Sequence, residues 1–321
     1  AGLTRGENRM AITASMVKEL REMTGSGMMD CKKALMAVEG DIEKAIDWLR
    51  EKGLATAQKK ASRIAAEGIS MAVVSDDAKK AVVVEVNSET DFVAKNEKFQ
   101  AYVKTVAEQA LDTTAADVDA FLAEPCKEDP SKTVADQLAA EVAVIGENLK
   151  IRRFQQIKED NGVLVAYTHM GGKIVTIVDI VSDVDNEQIR EMGKNIAMQV
   201  AALKPLYTSE SEVPQEYKDK EIDILSKQVA EDPKMAGKPE KVILGAVQGR
   251  LKKELKEICL LDQIYVKAED GKQSVAQYVQ QTAKEAGANA SVKGFIRFET
   301  GEGLEKKNED FAAEVAAQIK G

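Results

Sequence analysis

With 321 residues the chain has room for two or three domains with a sizeable core, and 44% hydrophobic against 31% charged residues is a globular balance. A net charge of −9 argues against general binding to phosphate backbones or membrane surfaces, and no apolar run approaches the length of a membrane span. Cys31, Cys126 and Cys259 are far apart and form no disulfide framework or paired metal motif, which suits a reducing cytoplasm, while 4% aromatics and few prolines favour helix over an all-β fold.

Residues 1–9, AGLTRGENR, are polar and precede Met10; they read as a cloning or processing remnant, with a cut transit peptide as the alternative. Residues 10–63 read as a helical module and its linker. Thr13 can cap a helix carrying Met16, Val17 and Leu20 at helical spacing, and the turn TGSG ends it. A second helix is expected from about Met29 to Val38. Gly40 and Asp41 then supply a stop and a new cap for IEKAIDWLREKG, with Ile42, Ala45, Ile46 and Leu49 on one face. Three short helices joined by glycine turns predict a binding module of ubiquitin-associated (UBA-like) shape. A basic linker, QKKASR, leads out.

The middle of the chain holds an internal repeat. One copy starts at Gly68, within a subdomain over 64–160. The other starts at Gly162, within a subdomain over 161–204 and 257–303. Each copy reads strand, polar turn, strand, acidic loop, amphipathic helix, with SDDAKK and HMGGK as the turns. The expected fold is α+β, a duplicated β-β-α core with antiparallel sheets. The strand AVVVEV (81–86) ends in SETDFV, where Phe92 could turn inward to the core or outward as a wedge. The second copy has SDVD at that place, with only Val184 to fill a core, which favours an outward Phe92.

Residues 205–256 read as an inserted antiparallel coiled-coil hairpin. Ile222, Leu225 and Val229 lie on one helix, EDPKMAGKP forms the turn, and Leu244, Val247, Leu251 and Ile258 lie on the return. A strand over 292–300 is expected to rejoin the core sheet. Residues 304–321 read as a C-terminal helical module, with Phe311, Val315 and Ile319 expected on one side. Cys126 to Val134 receives no role.

Chemistry-bearing motifs are mostly missing. There is no phosphate-binding GxxxxGK[ST], no strand–GxGxxG–helix fingerprint, no GxSxG elbow and no His/Cys cluster, and His169 is the only histidine. No nucleotide, metal or other cofactor is expected. The basic stretch KIRRF at 150–154 does not reverse the acidic balance, so no direct nucleic-acid contact is expected.

Two long segments are specific: LREMTGSGMMDCKKAL (20–35) and EVNSETDFVAK (85–95). With VIGENLKIRRF (144–154), Tyr167 and His169, GFIRFETGEGLEK (294–306) and DFAAEVAA (310–317), in that order, the chain resembles the bacterial elongation factor Ts family in its long form, which carries the helical arm. The resemblance implies a guanine-nucleotide exchange factor for the GTPase elongation factor Tu, acting in the cytoplasm without covalent chemistry. The family's aspartate and phenylalanine match Asp91 and Phe92, which would reach the GTPase near its switch region and disturb its magnesium and phosphate site. The methionine pair and neighbouring basic residue match Met28, Met29 and Lys32, with Arg21 in support. Ile145, Gly146, Asn148 and His169 match positions that face another domain of the GTPase. An apolar pair before the last core helix falls near Val266 and Lys267, and Lys267 departs from the pattern. Further contacts through the coiled-coil arm stay open.

Two rival classes follow from the residues alone. One is a non-catalytic adaptor that uses the UBA-like module. The other is an acid–base enzyme built on Glu89, Asp91 and His169, which requires these groups to converge in one pocket.

Overall fold

A computed structural model describes residues 11–307; residues 308–321 of the expected tail helix and the 1–9 segment lie outside the described residues. Eleven α-helices and two small antiparallel sheets, counted among the described residues, make an α+β fold. The chain divides into two compact units. Among the described residues, one holds 11–71, 84–154 and 300–307; the other holds 72–83 and 155–299.

In the first unit, α1 (Ala14–Thr24) starts where Thr13 Oγ1 accepts the Met16 N–H at 3.2 Å, and it stops at left-handed Gly25. α2 (Met28–Ala37) and α3 (Ile42–Lys60) follow, the latter capped by Asp41. Val17, Leu20, Cys31, Ala34, Leu35 and Ala45 form their shared core. α3 runs into the stretch read as a linker and ends at Lys60. LATAQKK is made mostly of strong helix formers, and Lys59 and Lys60 sit at the negative end of the helix dipole.

β1 (Glu67–Val74) and β2 (Lys80–Ser88) form the first hairpin, and a single turn, α4 (Asp91–Ala94), precedes α5 (Glu97–Asp112). α6 (Val118–Ala123) and α7 (Val134–Ile145) lead to β3 (Lys150–Lys158), which completes a sheet of order β1-β2-β3. Sequence reading saw only a basic patch at β3. Its arginines are spent within the unit: Arg152 and Arg153 both pair with Glu85, a β2 carboxylate with no exposed surface. Burial alone would raise the Glu85 pKa. The Gly301 N–H, the Asn87 amide and Arg153 outweigh it and hold the group below its usual range.

In the second unit, β4 (Gly162–His169) and β5 (Ile174–Ser182) form the second hairpin and α8 (Glu187–Leu203) follows. α9 (Gln215–Glu231), α10 (Glu240–Ile258) and α11 (Val275–Glu285) precede β6 (Ala290–Glu299), which pairs antiparallel with β5. Each copy of the repeat therefore takes a third strand from further along the chain, β3 or β6. Ile189, Met192, Ile196 and Val200 of α8 pack on one face of the second sheet, with Val178 and Ile180. Leu164, Val175, Ile177, Ile296 and Phe298 fill the other.

α9 and α10 bury Leu225, Val229, Val247, Leu251 and Leu255 against each other, with Cys259 below. Tyr217, near the start of α9, donates to Glu254, near the end of α10, so the helices run back along one another. Leu244 is not on this seam and is 57% exposed. Ile243 takes the place four residues before Val247, which leaves Leu244 about 100° around the helix.

Candidate functional site

The end of β2 builds the most distinctive surface of the first unit. Ser88 is buried and donates its hydroxyl to the Thr90 carbonyl. Thr90 is the N-cap of α4, its Oγ1 accepting the Val93 N–H at 3.4 Å, while Asp91 occupies the first helical position, where a negative charge suits the dipole. The turn closes where the Lys95 N–H reaches the Asp91 and Phe92 carbonyls, and Asn96 then caps α5. Phe92 is left facing solvent, 80% exposed. Asp91 is also exposed and lies 3.1 Å from Lys95 Nζ, one helical turn away. The second copy has no such turn; there Ser182 donates to the Val184 carbonyl, as Ser88 does to that of Thr90, and also accepts the Val184 N–H.

The segment after α7 supports this turn. Glu147 Oε2 accepts the N–H groups of Glu89 (3.0 Å) and Thr90 (3.1 Å), and its Oε1 accepts the Thr90 hydroxyl at 2.6 Å. In return, Glu89 Oε1 accepts the Asn148 N–H at 2.7 Å and lies 3.5 Å from Arg63. Asn148 is buried, its side-chain amide donating to the Arg63 carbonyl at 2.8 Å, so this residue is committed inside the unit. Ile145 is half-buried and Gly146 is exposed as the left-handed C-cap of α7, its carbonyl accepting from Lys60 Nζ at 2.7 Å.

Of the acid–base rival's groups, Glu89 is committed to the Asn148 backbone N–H and Arg63, whereas Asp91 is exposed beside Lys95. His169 belongs to the second unit, its Nδ1 2.9 Å from the Tyr167 hydroxyl.

On the N-terminal helices Met28 and Met29 are both exposed, at 56% and 64%, and Arg21 and Lys32 are exposed as well. Met23 and Met36, which sequence reasoning missed, are exposed too. They lie five residues before Met28 and seven after Met29, so no short motif joins them. In the second unit Val266 is exposed, and the apolar residue beside it is Ile264 rather than Lys267. Tyr265, between them, turns inward and stacks on Tyr278 at 4.0 Å. Gln199 of α8, fully buried, accepts the Val266 N–H and donates to the Ile264 carbonyl, fixing the backbone on either side of Tyr265. Lys267 instead reaches Asn195 at 2.7 Å.

A family model described as Elongation factor TS matches residues 89–302. A Clostridioides difficile (strain 630) protein named elongation factor Ts is 49% identical over 309 residues, covering 96% of this chain and 99% of that protein. Its namesake in Clostridium tetani (strain Massachusetts / E88) is 47% identical over 309 residues, covering 96% and 100%. Another, in Clostridium botulinum (strain Eklund 17B / Type B), is 46% identical over 308 residues, covering 96% and 99%.

Proposed function

The chain belongs to the elongation factor Ts family, and from that premise we propose that it promotes GDP release from the translational GTPase elongation factor Tu, with Phe92 as wedge and Asp91 as adjoining charge. The observation that carries this reading is an aromatic ring 80% exposed on a short, firmly capped turn. A ring so placed costs the free protein apolar exposure and is available to a partner.

An exchange factor must bind the nucleotide-free GTPase more tightly than the GDP-bound form, and linkage then weakens GDP by the same factor. Burying one exposed phenylalanine contributes roughly 2–3 kcal/mol. At about 1.4 kcal/mol per tenfold, the ring supplies at most about a hundredfold. A carboxylate brought near a bound magnesium adds leverage, because the ion dominates the local field. Larger acceleration needs several contacts together.

The reading assigns those contacts to Arg21, Met28, Met29 and Lys32 on a UBA-like N-terminal module, to Ile145 and Gly146, and to His169 and Val266. Methionine is an adaptable interface residue, and the paired exposure of Met28 and Met29 supports its use here. Asn148 supports this surface from below. The α9–α10 pair serves as a coiled-coil arm. No covalent bond is made or broken, and the setting is the cytoplasm.

The test is stopped-flow release of a fluorescent GDP from the GTPase. Phe92→Ala should slow release by about tenfold or more with its melting temperature unchanged. A mutant as fast as wild type would overturn the wedge.

A further inference from the structure

We infer that Glu147 is a positioning residue whose carboxylate sets the direction in which Phe92 and Asp91 are presented. The inference rests on the reading of Phe92 as the exchange wedge and deepens it.

Phe92 has no packing of its own to orient it, being 80% exposed. Its direction is inherited from the backbone of α4, which is four residues long. A single turn cannot hold itself, because helix nucleation fixes several dihedrals for one hydrogen bond. The turn therefore needs an external template, and Glu147 is built as one. Its two oxygens take three donors: the N–H groups of Glu89 and Thr90, and the Thr90 hydroxyl.

The hydroxyl bond at 2.6 Å matters most. Thr90 has one hydroxyl proton. With that proton committed to Glu147, the oxygen's lone pairs are free to receive the Val93 N–H of the first helical turn. Carboxylate, hydroxyl and helix N–H form one relay, each bond strengthening the next. Phe92 lies between the two ends of that relay. The template is itself fixed, since Asn148, the next residue, bonds back to Glu89 and to the Arg63 carbonyl beyond α3. Two segments 58 residues apart thus exchange carboxylates for backbone N–H groups.

A carboxylate can accept from all three donors, whereas a carboxamide has one oxygen and would turn its own N–H groups toward the others. Glu147→Gln is thus nearly isosteric yet breaks the relay. The assay is GDP release from a GDP-loaded elongation factor Tu by the full chain at rising concentration. Glu147→Gln is expected to lower the maximal rate about tenfold. Placed in an Asp91→Asn, Phe92→Ala background, the same substitution should change the rate by less than about twofold, since the residue acts only through these two side chains.

A Glu147→Gln protein within about twofold of wild type, while Phe92→Ala is slow, overturns the inference and spares the wedge. An equal loss in both backgrounds also overturns it, because it marks a general structural effect. A Phe92→Ala rate equal to wild type removes the wedge and this inference together. If Glu147→Gln does not fold, Thr90→Val tests the same relay by deleting the hydroxyl alone. It should match the tenfold loss, and Thr90→Ser should restore most of the rate; a fast Thr90→Val protein overturns the proposal.

Discussion

Gly162 lies so close to the Ile180 carbonyl that a β-carbon on it would overlap the oxygen, and Gly68 stands the same way against Val86. Both glycines open the first strand of a hairpin, and both carbonyls belong to the second strand. Neither neighbour can retreat, because it is backbone held in a sheet. Gly162→Ala should therefore destabilise the protein by about 2–3 kcal/mol, the cost of overpacking. Gly245 and Gly249 are the contrast, since both lie in α10 with open space where a β-carbon would go. Gly245→Ala should stabilise by about 0.5–1 kcal/mol through helix propensity. Urea unfolding of the two variants should give opposite signs, and equal signs would refute the argument.

Asp91 is exposed and pairs with Lys95 within one turn, an arrangement that contributes little to stability. Asp91→Asn should leave the unfolding midpoint within about 0.5 kcal/mol of wild type. Its effect belongs to the partner. GDP release should slow several-fold at low salt, with the deficit shrinking as salt screens the charge. A deficit independent of ionic strength would assign Asp91 a steric role instead.

Arg50 Nη2 lies 2.6 Å from Asp136 Oδ2 and joins α3 to α7. Asp136 is nearly buried and also accepts the Thr133 N–H, closing a capping box at the start of α7. Burial works against its charge, but the Thr133 N–H and Arg50 prevail, and its pKa falls below the usual range. Asp136→Ala removes the box and the pair together and should cost about 2 kcal/mol. Arg50→Ala leaves the box intact and should cost about 1 kcal/mol. Limited proteolysis should cut the 53–63 stretch sooner in the Asp136 variant than in the Arg50 one; the reverse order would mean that the box does not secure this contact.

The elements most legible in the sequence were those with strong local pattern. Thr13, Asp41 and the glycine turns marked the N-terminal helices, and the two hairpins were visible because a polar turn separates two apolar runs. β3 was not legible, since Arg152 and Arg153 look solvated until Glu85 is known to lie buried beside them. α4 was missed because four residues carry no period, and only the cap at Thr90 marks it. Ile264 was missed because its exposure depends on Gln199, 65 residues away. Glu147 stands inside the quoted segment VIGENLKIRRF, but its role left no signal: its partners are the backbone N–H groups and one hydroxyl of a distant segment.

Asp179 of β5 and Glu159 bury two carboxyl groups in the second unit, at 3% and 2% exposure, with Lys293 of β6 lying 3.2 Å from Glu159. Their surroundings favour the proton on Asp179 and the charge on Glu159. Burial raises the Asp179 pKa to about 7, and its hydrogen bond and charge repulsion with Glu159 add to the shift. Burial also opposes the Glu159 charge, but the Asn161 N–H, Asp179 and Lys293 together hold it ionised and below its usual range. In the unfolded chain an aspartate titrates near about 3.9. Between that value and about 7 the folded state binds a proton that the unfolded state has released. The stabilisation from Asp179 is thus fully present below the unfolded pKa and is lost as pH rises through the folded one. Unfolding free energy should fall by about 2–3 kcal/mol between pH 5 and pH 8. Asp179→Asn supplies a permanent N–H donor to Glu159 and needs no proton. Its stability should be flat across that range and should exceed wild type at pH 8. Denaturant titrations at the two pH values decide the matter: parallel curves for wild type and variant would show that Asp179 does not hold the proton.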